Sequence, residues 1–285
     1  MKVAFVGLGV MGFPMAGHLA KAGQDVRVFN RGAEKTRRWL SEHEGSSGDS
    51  LAETVADREA VALCVGNDDD VRACLAEILP AMAPGGVVID HTTTSAKLAR
   101  EAAAQARDFG RWFVDAPVSG GEAGAKNGTL SVMAGGAPEG FAKAEPVMAA
   151  YSKAIKRIGG PGAGQLAKMV NQICIAGVVQ GLAEAVHFAK AAELDTDAVL
   201  EAVSKGAAQS WQMDNRWKTM VEGQFEFGFA VDWMRKDLGL VLDEARANGA
   251  SLALTAMVDQ LYADVQAMGG RRWDTSSLAA RLERK

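Results

Sequence analysis

Cysteine is scarce: Cys64, Cys74 and Cys174 are the only three, no two are spaced as CxxC, and none stands at ligand spacing from a histidine. That excludes a disulfide framework and gives no sign of a zinc site, so a reducing cytoplasm is the expected setting. Histidine is equally thin, with His18, His43, His91 and His187 scattered without a partner pattern, which points to structural or solvent roles. Charge of neither sign dominates: 31 Lys plus Arg face 35 Asp plus Glu, a net charge of −4. A general nucleic-acid or anionic-membrane binder is excluded on that balance, although a local basic pocket could still hold a phosphate. Long apolar runs are also missing. The uncharged stretch Val3–Ala20 mimics a secretion signal, but four glycines, Pro14 and His18 interrupt it. Met169–Ala183 carries Asn171, Gln172 and Gln180 within 15 residues, too short and too polar to span a bilayer. There is no internal repeat and no low-complexity tract.

What is present is ample core material: 48% of 285 residues are apolar and 23% charged, a globular balance at a length that suggests two domains. The first half alternates short apolar runs with helical stretches. Val3–Gly7, Asp25–Asn30, Ala60–Val65, Gly86–Asp90 and Trp112–Ala116 read as strands, separated by helices near Met11–Ala22, Glu34–Glu44, Asp70–Leu79 and Ser95–Arg107. Ser46–Asp57 is polar and reads as beginning with a loop. Leu130–Ala134 and Ala154–Ile158 add two more strands before the rhythm stops at Gly159-Gly160-Pro161-Gly162. Strand then helix, repeated, is the pattern of a doubly wound parallel sheet.

Beyond that glycine-rich stretch only helical periodicity is found, beginning with one long helix over Gly164–Glu193. Gly177, Gly181 and Ala185 lie four apart on one of its faces, which permits close helix approach. The second domain is expected to bury that face against other helices, a partner subunit included, giving a homodimer or homotetramer. The expected fold is therefore α/β, with an N-terminal dinucleotide-binding domain over 1–162 and an all-α C-terminal domain over 163–285, joined by the long helix. Asp68-Asp69-Asp70 resembles a cation loop but precedes a helix, where acids serve as capping charge. The twelve methionines read as core filler, and Trp211, Phe229 and Trp233 could wall a pocket or pack in the core.

Gly7-Leu8-Gly9-Val10-Met11-Gly12 is a GxGxxG placed directly between a strand and a helix. The first glycine permits a tight turn, the second lets backbone approach a pyrophosphate, and the third lets the helix pack on the strand, as in a Rossmann-type nucleotide site. At the end of the second strand, where an NAD site offers a carboxylate to the ribose, the chain has Asn30-Arg31. Arg31, with Lys35 and Arg37 nearby, could pair with a 2′-phosphate instead, so NADP(H) is expected to be preferred, with NAD(H) possible. Lys168 is the only cation between Arg157 and Lys190. On a helix Gly164 and Asn171 share its face, the glycine opening space beside the ammonium and the amide adding a donor; alone, such a lysine is as readily a snorkelling charge. Ser119-Gly120-Gly121, after a strand, could form a concave anion site for a carboxylate, and equally a plain turn.

Taken in order, GLGVMG with Pro14-Met15-Ala16, DAPVSGG, GxGxxxKxxN and Lys236-Asp237-Leu238 resemble the motifs of the β-hydroxyacid dehydrogenase family, across essentially the whole chain. The resemblance implies that Lys168 is the catalytic lysine and that Ser119, Gly120, Gly121 and Asn171 bind a small carboxylate-bearing substrate. It also implies that Thr93 and Lys236 approach the nicotinamide side of the cofactor. Val65 and Gly66 fall where the family usually has Leu-Pro beside the coenzyme, which implies a backbone contact. Gln172 stands where many members have a second Asn, and this leaves the substrate subclass open.

The chemistry agrees with the match. Reduction of a carbonyl builds negative charge on its oxygen, and a lysine ammonium held beside that oxygen can stabilise and protonate it. The reverse oxidation needs a neutral lysine, which an ordinary pKa of about 10.4 supplies only at alkaline pH or after desolvation. Two other readings compete: an imine reductase-like enzyme, which usually lacks lysine at the position of Lys168, and a noncatalytic NADPH-binding module.

Overall fold

A computed structural model describes residues 1–283 of the chain. Its elements run β1 (Lys2–Val6), α1 (Gly12–Lys21), β2 (Asp25–Phe29), α2 (Ala33–Glu42), α3 (Leu51–Val55), β3 (Ala60–Leu63), α4 (Asp68–Ala81), β4 (Val87–Asp90), α5 (Ala96–Asp108) and β5 (Trp112–Asp115). There follow β6 (Val118–Ser119), α6 (Gly121–Asn127), β7 (Leu130–Gly135), α7 (Pro138–Met148) and β8 (Ser152–Gly159). The remainder is helical: α8 (Ala163–Ala191), α9 (Thr196–Val203), α10 (Trp211–Glu222), α11 (Val231–Asn248), α12 (Ala253–Ala267) and α13 (Leu278–Leu282). Contacts group the chain into two compact units, Met1–Lys168 and Met169–Lys285.

The first unit is built on one sheet ordered β2-β1-β3-β4-β5-β7-β6, with β8 paired to β7. Neighbours from β2 to β5 are all parallel. The sheet then changes character, because β7 runs antiparallel to β5 and β6 while β8 is parallel to β7. Side chains alternate across it as strand geometry requires. Val3, Phe5, Ala60, Ala62, Val87 and Ile89 face a core shared with α1 and α7, whereas Ala4, Val6, Val61, Leu63 and Val88 face one shared with α3, α4 and α5. Strands buried on both sides read in sequence as unbroken apolar runs. The order reverses between β1 and β3, which makes the carboxyl ends of these strands the place where such sheets bind ligands.

Ser46–Asp57 begins as a loop, as expected, and then forms the short α3, whose first turn is capped by the Ser50 hydroxyl accepting the Glu53 N–H. Asn67 caps α4 in the same way, and all three acids of Asp68-Asp69-Asp70 sit in that helix's first turn.

The second unit encloses its own core. Ala176, Val179, Ala183 and Val186 of α8 pack with Met213 and Trp217 of α10, Met234 and Leu238 of α11, and Val258 and Tyr262 of α12. By length and composition α8 could cross a membrane, yet one of its faces is this helical core. Its opposite face departs from expectation. Gly177 abuts Leu254, but Gly181 and Ala185 are exposed, and Val170, Cys174, Val178 and Phe188 extend the open face. The chain's own helices cover one stripe of α8 and reach the small-residue stripe only at Gly177, leaving Gly181 and Ala185 exposed. Trp211, Phe229 and Trp233 are likewise half-exposed and lie outside the core.

Candidate active site

The β1–α1 turn follows the stereochemistry its glycines require. Gly7 has φ +96°, and a Cβ there would run into the Cys64 carbonyl, while one at Gly12 would collide with the Gly7 carbonyl. At Gly9 an added Cβ meets nothing within 4 Å, so the space over that peptide is open. Helix α1 has no side-chain cap and no acid in its first turn; the Phe13 N–H already donates to the Gly9 carbonyl at 3.0 Å, and the positive dipole end faces outward for an anion. Val10 is exposed and Leu8 buried, with Met11 at the N-cap. These features fit a dinucleotide pyrophosphate.

Asn30 braces the same turn, its Oδ1 accepting the Leu8 N–H at 3.0 Å. Arg31 is 85% exposed and reaches Asp70 at 3.0 Å, while Lys35 and Arg37 are exposed on α2. The other Asp70 oxygen accepts the Gly66 N–H at 3.2 Å, and the Val65 N–H donates to Thr92 Oγ1 at 3.0 Å. The amide N–H groups of both residues in the Leu-Pro position are thus engaged inside the protein.

Thr93 sits in a segment fastened on either side. The buried carboxamide of Gln165 donates to the Thr92 carbonyl at 2.7 Å and accepts the Thr94 N–H at 3.0 Å. This bracket joins the end of β4 to the first turn of α8. A second bracket comes from Asp115, at the end of β5, whose carboxylate accepts the N–H groups of Gly162 at 2.8 Å and Gln165 at 2.9 Å. Burial pushes Asp115 up to about 6 against the pull of these donors. Gly164 has a different purpose from the one expected. A Cβ there would lie 2.5 Å from both the Asp115 and Met133 carbonyl oxygens, so the glycine lets α8 seat on the sheet rather than opening space beside an ammonium.

One turn along that seated helix, Lys168 is buried and its Nζ donates to the Val118 carbonyl at 2.9 Å. The next residues are Ser119, half-buried in β6, and Gly120 and Gly121, both exposed with φ of +125° and +58°. A primary ammonium is therefore held beside the Ser-Gly-Gly turn, equipped to donate a proton or a hydrogen bond to an oxygen placed there.

Within the second unit Asn171, Gln172, Asp237 and Lys236 form a chain of polar contacts. Asn171 Nδ2 donates to Gln172 Oε1 at 2.8 Å, Gln172 Nε2 donates to Asp237 Oδ2 at 2.8 Å, and Lys236 pairs with Asp237 Oδ1 at 3.2 Å. The Lys236 ammonium also lies over the Trp233 ring, 5.8 Å from its centroid. Asp115, Gln165 and Asp237 were not singled out from the sequence as site residues. The signal for Asp115 and Asp237 was an acid inside each of two motifs; for Gln165 there was none. Among the described residues no group of acids, histidines and cysteines could hold a metal.

Comparison with known proteins gives matches over both units. The family model for the NAD binding domain of 6-phosphogluconate dehydrogenase covers residues 2–160, and that for the NAD-binding domain of NADP-dependent 3-hydroxyisobutyrate dehydrogenase covers 162–282. An uncharacterized oxidoreductase of Shewanella frigidimarina is 58% identical over 99% of this chain and 98% of its own length. The 2-hydroxy-3-oxopropionate reductase of Escherichia coli is 33% identical over 99% and 97%. Among solved structures, a 3-hydroxyisobutyrate dehydrogenase of Mycobacterium tuberculosis with L-serine is 32% identical, covers 100% of both chains and superposes with a TM-score of 0.90.

Proposed function

Because this chain belongs to the β-hydroxyacid dehydrogenase family, and is thereby an NAD(P)-dependent oxidoreductase, we propose that it reduces a small carbonyl acid, a semialdehyde or glyoxylate, with NADPH. The observation that carries this reading is the buried Lys168 ammonium donating to the Val118 carbonyl beside Ser119. A reduced nicotinamide supplies the hydride when bound. The rest falls to the chain: Ser119, Gly120 and Gly121 hold the substrate carboxylate, Asn171 binds the substrate, Lys168 gives its proton to the developing alkoxide, and Gln165 keeps Thr93 and Lys168 in register. Preference for NADPH is supported by Arg31, which stands where an acid would favour NAD. Thr93 and Lys236 are assigned to the nicotinamide side, and Val65 and Gly66 to a backbone contact beside the coenzyme. The setting proposed is the reducing cytoplasm, and the oligomer a homodimer or homotetramer.

The test is a substrate panel of succinic semialdehyde, glyoxylate and tartronate semialdehyde assayed in parallel with NADPH and NADH. Faster oxidation of NADPH is expected; equal or better use of NADH sinks the Arg31 argument, and no turnover with any carbonyl acid sinks the reductase. Lys168→Ala should cut turnover by roughly 10² to 10⁴ while NADPH affinity stays within a few-fold. Lys168→Arg should fail too, since a guanidinium is a poor proton donor of a different shape. Near-normal turnover in either variant would make the lysine a mere helix charge.

A further inference from the structure

Gln172 is 3% exposed, and both ends of its carboxamide are engaged. The two ends of an amide are alike in shape, so the partners decide which way it points. Asp237 is ion-paired with Lys236 and can only accept. It therefore takes the Gln172 Nε2–H. The Gln172 oxygen must then face α8, and Asn171 must answer it with Nδ2. A carboxylate on α11 thus dictates the direction of an amide on α8, at a sequence separation of 65 for the Gln172–Asp237 bond.

We infer that Gln172 is a positioning residue: its buried amide, held between Asn171 Nδ2 and Asp237 Oδ2, fixes the orientation in which the Asn171 carboxamide meets the substrate. The inference rests on the function proposed above, in which Asn171 is a substrate ligand. The length of the side chain matters to it. Asparagine, one methylene shorter, cannot span both partners when each bond is already 2.8 Å. An apolar side chain of similar volume would fill the space and carry no direction at all.

Gln172→Met should raise the KM for the carbonyl acid roughly 10-fold, as expected when hydrogen bonds to a buried charge and its neighbour are lost, while the KM for NADPH stays within about two-fold. A role confined to packing the helical core would not separate the two constants in this way. In an Asn171→Ala background the further change Gln172→Met should add nothing to the substrate KM, because the residue acts through Asn171. An unchanged substrate KM in a Gln172→Met protein with native circular dichroism overturns the inference, and so do fully additive losses. Should the methionine variant not fold, Gln172→Asn carries the same expectation of a raised substrate KM with an unmoved NADPH KM, and an unchanged substrate KM there overturns it equally. Absence of turnover by the unaltered protein would count against the proposed function. Normal turnover with an indifferent Gln172→Met would count against this role alone.

Discussion

Asp90 closes β4 fully buried, one oxygen accepting the Thr92 N–H at 2.9 Å and the other finding no hydrogen-bond partner. Burial pushes its carboxyl up to about 7, with the nearby charges of Asp115 and Asp68 adding to the effect and the Thr92 bonds opposing it. The folded chain holds this proton more tightly than the unfolded chain. Its contribution to stability is therefore full below about pH 3.8 and is lost as the pH rises through about 7. Asp90→Asn, which stays neutral, should gain on the unaltered protein as the pH rises, by on the order of a few kcal/mol between pH 5 and pH 8. Thermal melts of both proteins at the two pH values test this, and a constant difference in Tm would refute it. His91, the next residue, answers to the opposite sign. Burial lowers its pKa to about 4, and its ring bridges the Ala116 carbonyl at 2.6 Å and the Tyr151 hydroxyl at 2.8 Å, so its contribution is lost as the pH falls from about 6.5 toward 4.

At the scale of elements, α8 matters most, since its first turn carries Gly164 and Gln165, and its second Lys168, toward the sheet. Replacing glycine by alanine inside an exposed helix favours the helix by up to about 1 kcal/mol. At Gly164 the clash with two strand carbonyls should win. Gly164→Ala is expected to destabilise the protein by about 2 kcal/mol net and to lower turnover by shifting Lys168. Urea unfolding with parallel kinetics checks both, and a stabilised, fully active variant would show that the seat is looser than described. How much of this was legible follows from the same elements. Strands β1, β3 and β4 announce themselves as apolar runs because they are buried on both faces. Helix α7 does not, because Pro138 and Pro146 read as breakers although the first only starts the helix. β6 has two residues and α6 seven, too few for any periodicity to show. The GxGxxG turn could be read because its stereochemistry is local, and Lys168 stood out only through the resemblance of its motif, because its Val118 partner lies 50 residues away. Asp115, Gln165 and Asp237 could not, since their partners lie 47 to 73 residues away.

For the whole molecule, the open face of α8 sets the expectation. Phe188 is 70% exposed and Val170 60%, with Val178, Gly181 and Ala185 between them in the same stripe. A contiguous apolar stripe of that length is a liability in a monomer and an ordinary contact between copies. Sedimentation at micromolar concentration should show a dimer or tetramer, and Val178→Asp with Phe188→Glu should shift it toward monomer. A stable monomer of the unaltered chain would contradict the assembly.

The Asp115 bracket also bears on the order in which the chain acquires its parts. Gly162 and Gln165 reach back 47 and 50 residues to that carboxylate, and closing so long a loop costs entropy that only a formed sheet can repay. Lys168 is the last residue of the first unit, and during synthesis it emerges after every strand of the sheet. Lys168 can thus dock onto a completed platform while most of the helical unit is still being made.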